Sequence, residues 1–160
     1  HGLSVGIGMA LAATMDSCGY RTYVLMGDGE QGEGSIYEAA MAANQYHLDN
    51  LVAIIDRNHL QISGDTEAVM AIENIRNKWS AFGWDVIEMN GDDVEDIVNT
   101  FHSIDYTNHK PHLLISHSTK GLGVSFMEGV AEWHHGVPSE EQYHQAIIDI
   151  EARISKLEEE

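Results

Sequence analysis

Apolar residues along this chain switch between a helical spacing and short continuous runs, which divides it into alternating helices and strands. Residues 3–16, rich in Gly, Ala, Met and Leu, predict a closely packed helix ending near Cys18 and Gly19. Residues 22–26 form a short apolar strand stopped by Gly27-Asp28-Gly29. A helix is expected over 35–46, with Ser35 as N-cap and Glu38 completing a capping box. Residues 51–55 (LVAII) are apolar throughout, as in a strand covered on both faces of a parallel sheet. The polar stretch 56–65 reads as a loop. Over 69–82 the stripe Ile72, Ile75, Trp79 and Phe82 predicts one helix, and 84–89 a strand. Asp92 with Glu95 opens a helix running to Ile104, followed by a strand over 112–116 and a glycine-containing loop over 120–136. Ser139 with Gln142 opens the last helix, through Ile147, Ile150 and Ile154 into an acidic tail.

Strands separated by helices of this length predict an α/β fold: a mainly parallel, doubly wound sheet with helices on both faces, in one domain over 1–160. Ligands of such sheets lie beyond the carboxyl ends of the strands. Three loops leave those ends, 27–34, 56–65 and 119–136.

Charge and cysteine content narrow the partners. Eight Lys and Arg stand against 26 Asp and Glu, a formal charge of −18. That argues against a nucleic-acid backbone or an anionic membrane surface, though not against a small anion in a local site. The single cysteine, Cys18, excludes an intrachain disulfide framework and cysteine-rich zinc modules, and a cytoplasmic setting is expected. No apolar run is long enough for a membrane span. The ten histidines include no H-E-x-x-H spacing, so zinc is disfavoured. His47, His102, His109, His112 and His144 read as surface or packing residues. His59 flanks Asn58 and His117 ends a strand, which places both near the strand-end loops.

The candidate chemistry begins at Gly27-Asp28-Gly29-Glu30, directly after an apolar strand. Glycines there admit a sharp turn and close approach of backbone N–H groups to an anion. Asn58 lies 30 residues downstream of Asp28, just past the next strand. An Asp carboxylate, an Asn amide oxygen and one backbone carbonyl of this loop are hard oxygen donors suited to Mg²⁺ or Ca²⁺, with phosphate oxygens and a water completing the shell. Neither common phosphate motif is present, and a plain turn is the competing reading of G-D-G. Lys120, one of few basic residues, sits in a strand-end loop as a candidate phosphate contact.

The run Gly27-Asp28-Gly29-Glu30-Gln31-Gly32-Glu33-Gly34 followed by Asn58 resembles the thiamine-diphosphate motif. Longer runs resemble transketolases, especially the N-terminal subunit of split bacterial enzymes. They are residues 38–43 (EAAMAA), 48–58 (LDNLVAIIDRN), 60–64 (LQISG), 79–84 (WSAFGW), 119–124 (TKGLGV) and 133–136 (WHHG). The resemblance covers residues 1–145. It implies a thiamine-diphosphate-binding fold, with thiamine diphosphate and Mg²⁺ (or Ca²⁺) as cofactors. It further implies Asp28 and Asn58 as side-chain metal ligands, Leu60 as the residue whose carbonyl coordinates, and Gly29 as an amide contact of the diphosphate. Gly27 and Glu30 belong to the same cofactor-binding run. Ile62 resembles the aliphatic support of the bent cofactor, and Glu33 a glutamate of a carboxylate network across a dimer. His135 resembles the histidine near the reacting carbons, with the adjacent His134 as the competing placement.

The implied reaction is transfer of a two-carbon ketol unit from a ketose phosphate to an aldose phosphate. In this family a pyrimidine-binding domain supplies the glutamate that activates the cofactor, and upstream histidines contact substrate. Turnover is therefore expected only with a C-terminal subunit or domain, in a homo-oligomer or a 2+2 assembly. Another thiamine-dependent enzyme, 1-deoxyxylulose-5-phosphate synthase-like or acting on a sulfo-sugar, and a noncatalytic scaffold are the alternatives.

Overall fold

The computed structural model describes residues 1–158. Six helices and six strands follow one another along the chain: α1 (Gly2–Met15), β1 (Thr22–Gly27), α2 (Gly34–Gln45), β2 (Leu51–Arg57), β3 (Leu60–Gln61), β4 (Gly64–Asp65), α3 (Thr66–Val69), α4 (Ile75–Ala81), β5 (Asp85–Asn90), α5 (Val94–Ser103), β6 (His112–His117) and α6 (Glu140–Glu158). The main sheet has the order β1-β2-β6-β5, and every pairing in it is parallel. The chain steps from β1 to β2, passes over β6 to β5, and returns to β6. This change of direction accompanies the placing of α5 on the face opposite α2, as the right-handed rule for parallel crossovers requires.

Each face has its own core. Leu51, Ala53 and Ile55 of β2 pack toward α1, α2 and α4, with Leu3, Ile7, Ile36, Ala40, Ile75 and Trp79. Val52 of β2 and Leu114 of β6 pack on the other face with Ile97 and Phe101 of α5. Burial of β2 on both faces explains its unbroken apolar run.

Four local expectations are corrected. The stretch 56–65 is not all loop: β2 continues to Arg57, and β3 pairs antiparallel with β4. The helix expected over 69–82 is broken, since α3 ends at Val69 and a new helix starts at Ile75. Asn74 is the reason, because its side chain accepts the Asn77 N–H at 2.9 Å and so N-caps α4. Ile72 is nonetheless buried with Ile75 and Trp79, which is why the apolar stripe looked continuous. Ser35 does not cap α2; Glu33 holds the N-cap position without a side-chain bond. Asp93, not Asp92, caps α5, accepting from the N–H groups of Glu95 and Asp96.

A glycine closes α4, and the expected opening of α6 is found. Gly83, with φ +87°, ends α4 in the left-handed conformation, where a side chain would also collide with that of Asn44. Ser139 and Gln142 exchange reciprocal bonds at the start of α6. That helix has no buried residue, and Ile148, Ile154 and Leu157 are exposed. Of the acidic tail, Glu159 and Glu160 lie outside the described residues. Among the described residues no helix is long and apolar enough to cross a membrane.

Candidate functional site

All three strand-end loops meet at one cavity of about 510 Å³. Gly27, Asp28, Gly29, Glu30 and Glu33 come from the segment after β1. Asp56, Asn58, Leu60, Gln61, Ile62 and Ser63 come from the end of β2 and the β3–β4 hairpin, and Lys120 and His134 from the loop after β6. Every residue proposed from sequence for cofactor or metal binding lines this cavity except His135. That residue is exposed, its ring edge-on to His134 at a centroid distance of 4.8 Å.

The segment after β1 is a 3-10 turn over Asp28–Gly32. Glu30 folds back so that its carboxylate accepts the Gly27 N–H at 2.7 Å. Beneath the turn, Trp79 donates its indole N–H to the buried Gln31 side chain at 3.2 Å, and the Tyr37 hydroxyl donates to the Gln31 carbonyl at 2.6 Å. Burial raises the Tyr37 pKa above its ordinary value of 10.0, so the phenol keeps the proton it donates. Gly29 is required by space: a Cβ there would stand 2.9 Å from the Cβ of Gln61.

Asp28 is 1% exposed. Its Oδ2 accepts the His59 N–H at 2.7 Å and an Arg57 N–H at 3.0 Å, leaving Oδ1 for the cavity. Asn58 is oriented in a similar way. Its amide nitrogen donates to Asp56 Oδ2 at 2.9 Å, and its Oδ1 accepts the Leu60 N–H at 3.0 Å. Asp56 also accepts the Ser118 hydroxyl. Asp56 and Arg57 are consecutive residues of β2, so their side chains leave opposite faces of the sheet. One bonds Asn58, the other Asp28.

Four carboxylates (Asp28, Glu30, Glu33, Asp56) face Lys120, the one Lys or Arg on the wall among the described residues. A diphosphate is repelled by such a wall unless a cation joins it. Asp28 Oδ1 and Asn58 Oδ1 are hard oxygen donors, and no group of three or more His, Cys, Asp or Glu among the described residues could hold a metal by itself. Mg²⁺ is characteristically held by only one or two carboxylates, with phosphate oxygens and water filling its shell, so this donor set fits a metal-bound diphosphate. Ile62, 64% exposed, offers an aliphatic surface at the cavity mouth.

The loop bearing Lys120 and His134 is fastened differently. Asp92 accepts the Thr119 N–H at 2.9 Å and its hydroxyl at 2.7 Å. Trp133 donates to the Phe126 carbonyl at 2.9 Å, with the two rings edge-on. Asp149 of α6 accepts from both the N–H and the hydroxyl of Ser125, which holds its carboxyl below the usual aspartate pKa.

Sequence reasoning assigned no role to Arg57. The available signal was the period of β2: continued two residues past Ile55, the alternation places Arg57 on the same face as Ala53 and Ile55.

Comparison with known proteins gives three kinds of match. The family described as "Transketolase, thiamine diphosphate binding domain" matches residues 2–148. One of the named subunits of the apulose-4-phosphate transketolase of Phocaeicola vulgatus is 73% identical over 160 residues, covering 100% of this chain and 57% of the relative. A protein of the same description from Actinobacillus succinogenes is 46% identical over 94% of this chain and 54% of its own length. The chain thus spans about half the length of these curated relatives. A crystal structure of transketolase from Campylobacter jejuni superposes with a TM-score of 0.82 at 32% identity, over 91% of this chain and 24% of that one.

Proposed function

We propose, from the premise that this chain belongs to the transketolase family, that it is the diphosphate- and metal-binding domain of a two-subunit ketol transferase. Its substrates are sugar phosphates. The donor we propose is a ketose phosphate of the apulose-4-phosphate kind, named in both relatives described above. Activity requires a companion subunit carrying the pyrimidine-binding domain, in a 2+2 assembly or a dimer of joined chains. The lone thiol of Cys18 suits a cytoplasmic setting.

The observation that carries the reading is the pair of oriented oxygens, Asp28 Oδ1 and Asn58 Oδ1, at the mouths of β1 and β2. In this reading they hold Mg²⁺, with the Leu60 carbonyl as a third protein ligand. The Gly27 N–H is taken by Glu30, so the Gly29 N–H of the turn is the one that meets the diphosphate. Thiamine diphosphate, when bound, supplies the electron sink for carbon–carbon bond cleavage. The chain's own residues bind and orient. Ile62 supports the apolar ring, Lys120 meets an anionic oxygen, and Glu33 joins a carboxylate network toward the companion. His134, on the cavity wall, is the histidine that exchanges protons with substrate oxygens, and the His135 ring packs edge-on against it.

The test is calorimetric titration of thiamine diphosphate with and without Mg²⁺, using the full-length subunit together with its companion. A ketol-transfer assay follows with apulose 4-phosphate, xylulose 5-phosphate, a sulfo-sugar and pyruvate as alternative donors. Binding that needs both the metal and Asp28 supports the reading. Absence of binding with a competent companion refutes the cofactor assignment. Transfer from the sulfo-sugar or use of pyruvate, in preference to apulose 4-phosphate, refutes the donor.

A further inference from the structure

The guanidinium of Arg57 is 1% exposed and has five N–H donors, each with an acceptor. Nη1 donates to Asp28 Oδ2 at 3.0 Å and to the Thr66 hydroxyl at 2.7 Å. Nη2 donates to Glu67 Oε1 at 3.0 Å and to Glu73 Oε1 at 2.9 Å, and Nε reaches the same Glu73 oxygen at 3.2 Å. Glu67 in turn accepts the N–H groups of Ile72 and Glu73, both at 3.4 Å. The whole segment from α3 to Asn74 therefore hangs on the side chain that also grips Asp28. It is the segment whose expected helix the structure breaks.

Two donors on a single oxygen fix the plane of the Asp28 carboxylate and turn its other oxygen to the cavity. Charge strengthens the argument. Three carboxylates surround one guanidinium, so the cluster keeps an excess of negative charge beside the place where a cation is expected. A residue serving only to neutralise Asp28 needs no further carboxylates. A residue that ties Asp28 to a surface segment does.

We propose that Arg57 is a positioning residue of the metal site, which presents Asp28 Oδ1 to the cation and couples metal binding to the order of residues 66–74. The proposal rests on the reading of Asp28 as a ligand of a divalent cation. Coupling is reciprocal: whatever order in the segment adds to metal affinity, metal binding returns to the segment. Lysine at this position keeps the charge but cannot span four acceptors with a planar fork.

The experiment uses the full-length subunit with its companion. Mg²⁺ is titrated at fixed thiamine diphosphate, and cofactor binding is read by calorimetry for wild type, Arg57→Lys and the double variant Glu67→Gln/Glu73→Gln. Hydrogen exchange is followed in parallel over residues 66–74 and over β2 and β6. Loss of an outer-shell partner characteristically costs 10–100-fold in metal affinity, so Arg57→Lys is expected to need about tenfold more Mg²⁺ for half-saturation. Excess metal restores its cofactor binding. In wild type, loading with Mg²⁺ and cofactor slows exchange over 66–74. The double variant, which keeps the Arg57–Asp28 bond, exchanges faster there and shows a smaller rise in Mg²⁺ requirement.

A folded Arg57→Lys, judged by unchanged exchange in β2 and β6, with wild-type Mg²⁺ dependence overturns the positioning role. Exchange over 66–74 that ignores metal loading in wild type overturns the coupling. If Arg57→Lys does not fold, the double variant decides: faster exchange with an unmoved Mg²⁺ requirement overturns the proposal. Wild type that binds the cofactor without metal is a different result, because it removes Asp28 as a ligand altogether.

Discussion

The two walls of the cavity are built on different principles. On one side Asp28 and Asn58 stand at strand ends, each with its rotation fixed by a neighbour of opposite face on β2. On the other side Lys120 and His134 ride on a long connection after β6, held by hydroxyl-to-carboxylate bonds from Asp92 and Asp149 and by one tryptophan. The first wall is anchored in the core through the buried Asp28 and Arg57. The second is fastened at intervals along the surface. In the function proposed above, Mg²⁺, which demands near-octahedral geometry, falls to the first wall, and proton exchange with sugars falls to the second.

The contrast can be broken most forcefully at Arg57. Replacing it with methionine leaves the Asp28 carboxylate buried and unpaired, and about 3–5 kcal/mol of folding stability is expected to go, as read by urea denaturation. Asp28→Ala comes next. The apparent affinity for thiamine diphosphate in the presence of Mg²⁺ is expected to fall by about two orders of magnitude in calorimetry, since a hard cation loses its one protein charge. On the opposite wall, His134→Ala is expected to lower ketol-transfer kcat by about 100-fold, the low end for a lost proton-transfer group, and His135→Ala by far less. Equal losses would erase the distinction drawn between the two rings.

Asp92→Ala sharpens the comparison further. It frees the Thr119 N–H and hydroxyl and is expected to cost about 1 kcal/mol, with faster hydrogen exchange at Thr119 and an unmoved Mg²⁺ requirement. The smallest effect is placed away from both walls. His112 is fully buried at the opposite end of the sheet, and burial lowers its pKa below the ordinary 6.5 despite the Asp85 carboxylate at 3.4 Å. The unfolded chain then takes up a proton that the folded chain refuses. Stability is expected to decline as pH falls below about 6.5, and His112→Gln to flatten that decline in denaturation curves at pH 7.5 and 5.5.

The sheet was legible because its strands are short, apolar and regularly spaced. The G-D-G turn and Asn58 were legible because both directly follow such strands. What stayed hidden depended on side chains meeting across the chain. Arg57 looked like the start of a polar loop, since nothing local distinguishes a solvated arginine from one that Asp28, Glu67 and Glu73 enclose. The break between α3 and α4 was masked because Ile72 is buried although it is not helical. Asp92 was read as a helix cap by its position before Glu95, but its carboxylate is taken by Thr119, 27 residues away. The sequence also did not show that the turn over Ala131–His134 sets His134, and not His135, on the cavity wall.

The opposite faces taken by Asp56 and Arg57 carry a consequence for how this gene can change. A single-codon insertion or deletion within β2 would exchange the two side chains across the sheet. It would drive a guanidinium into the cavity and set a carboxylate among Glu67 and Glu73. Point substitution can tune this strand, but its length is fixed to the residue.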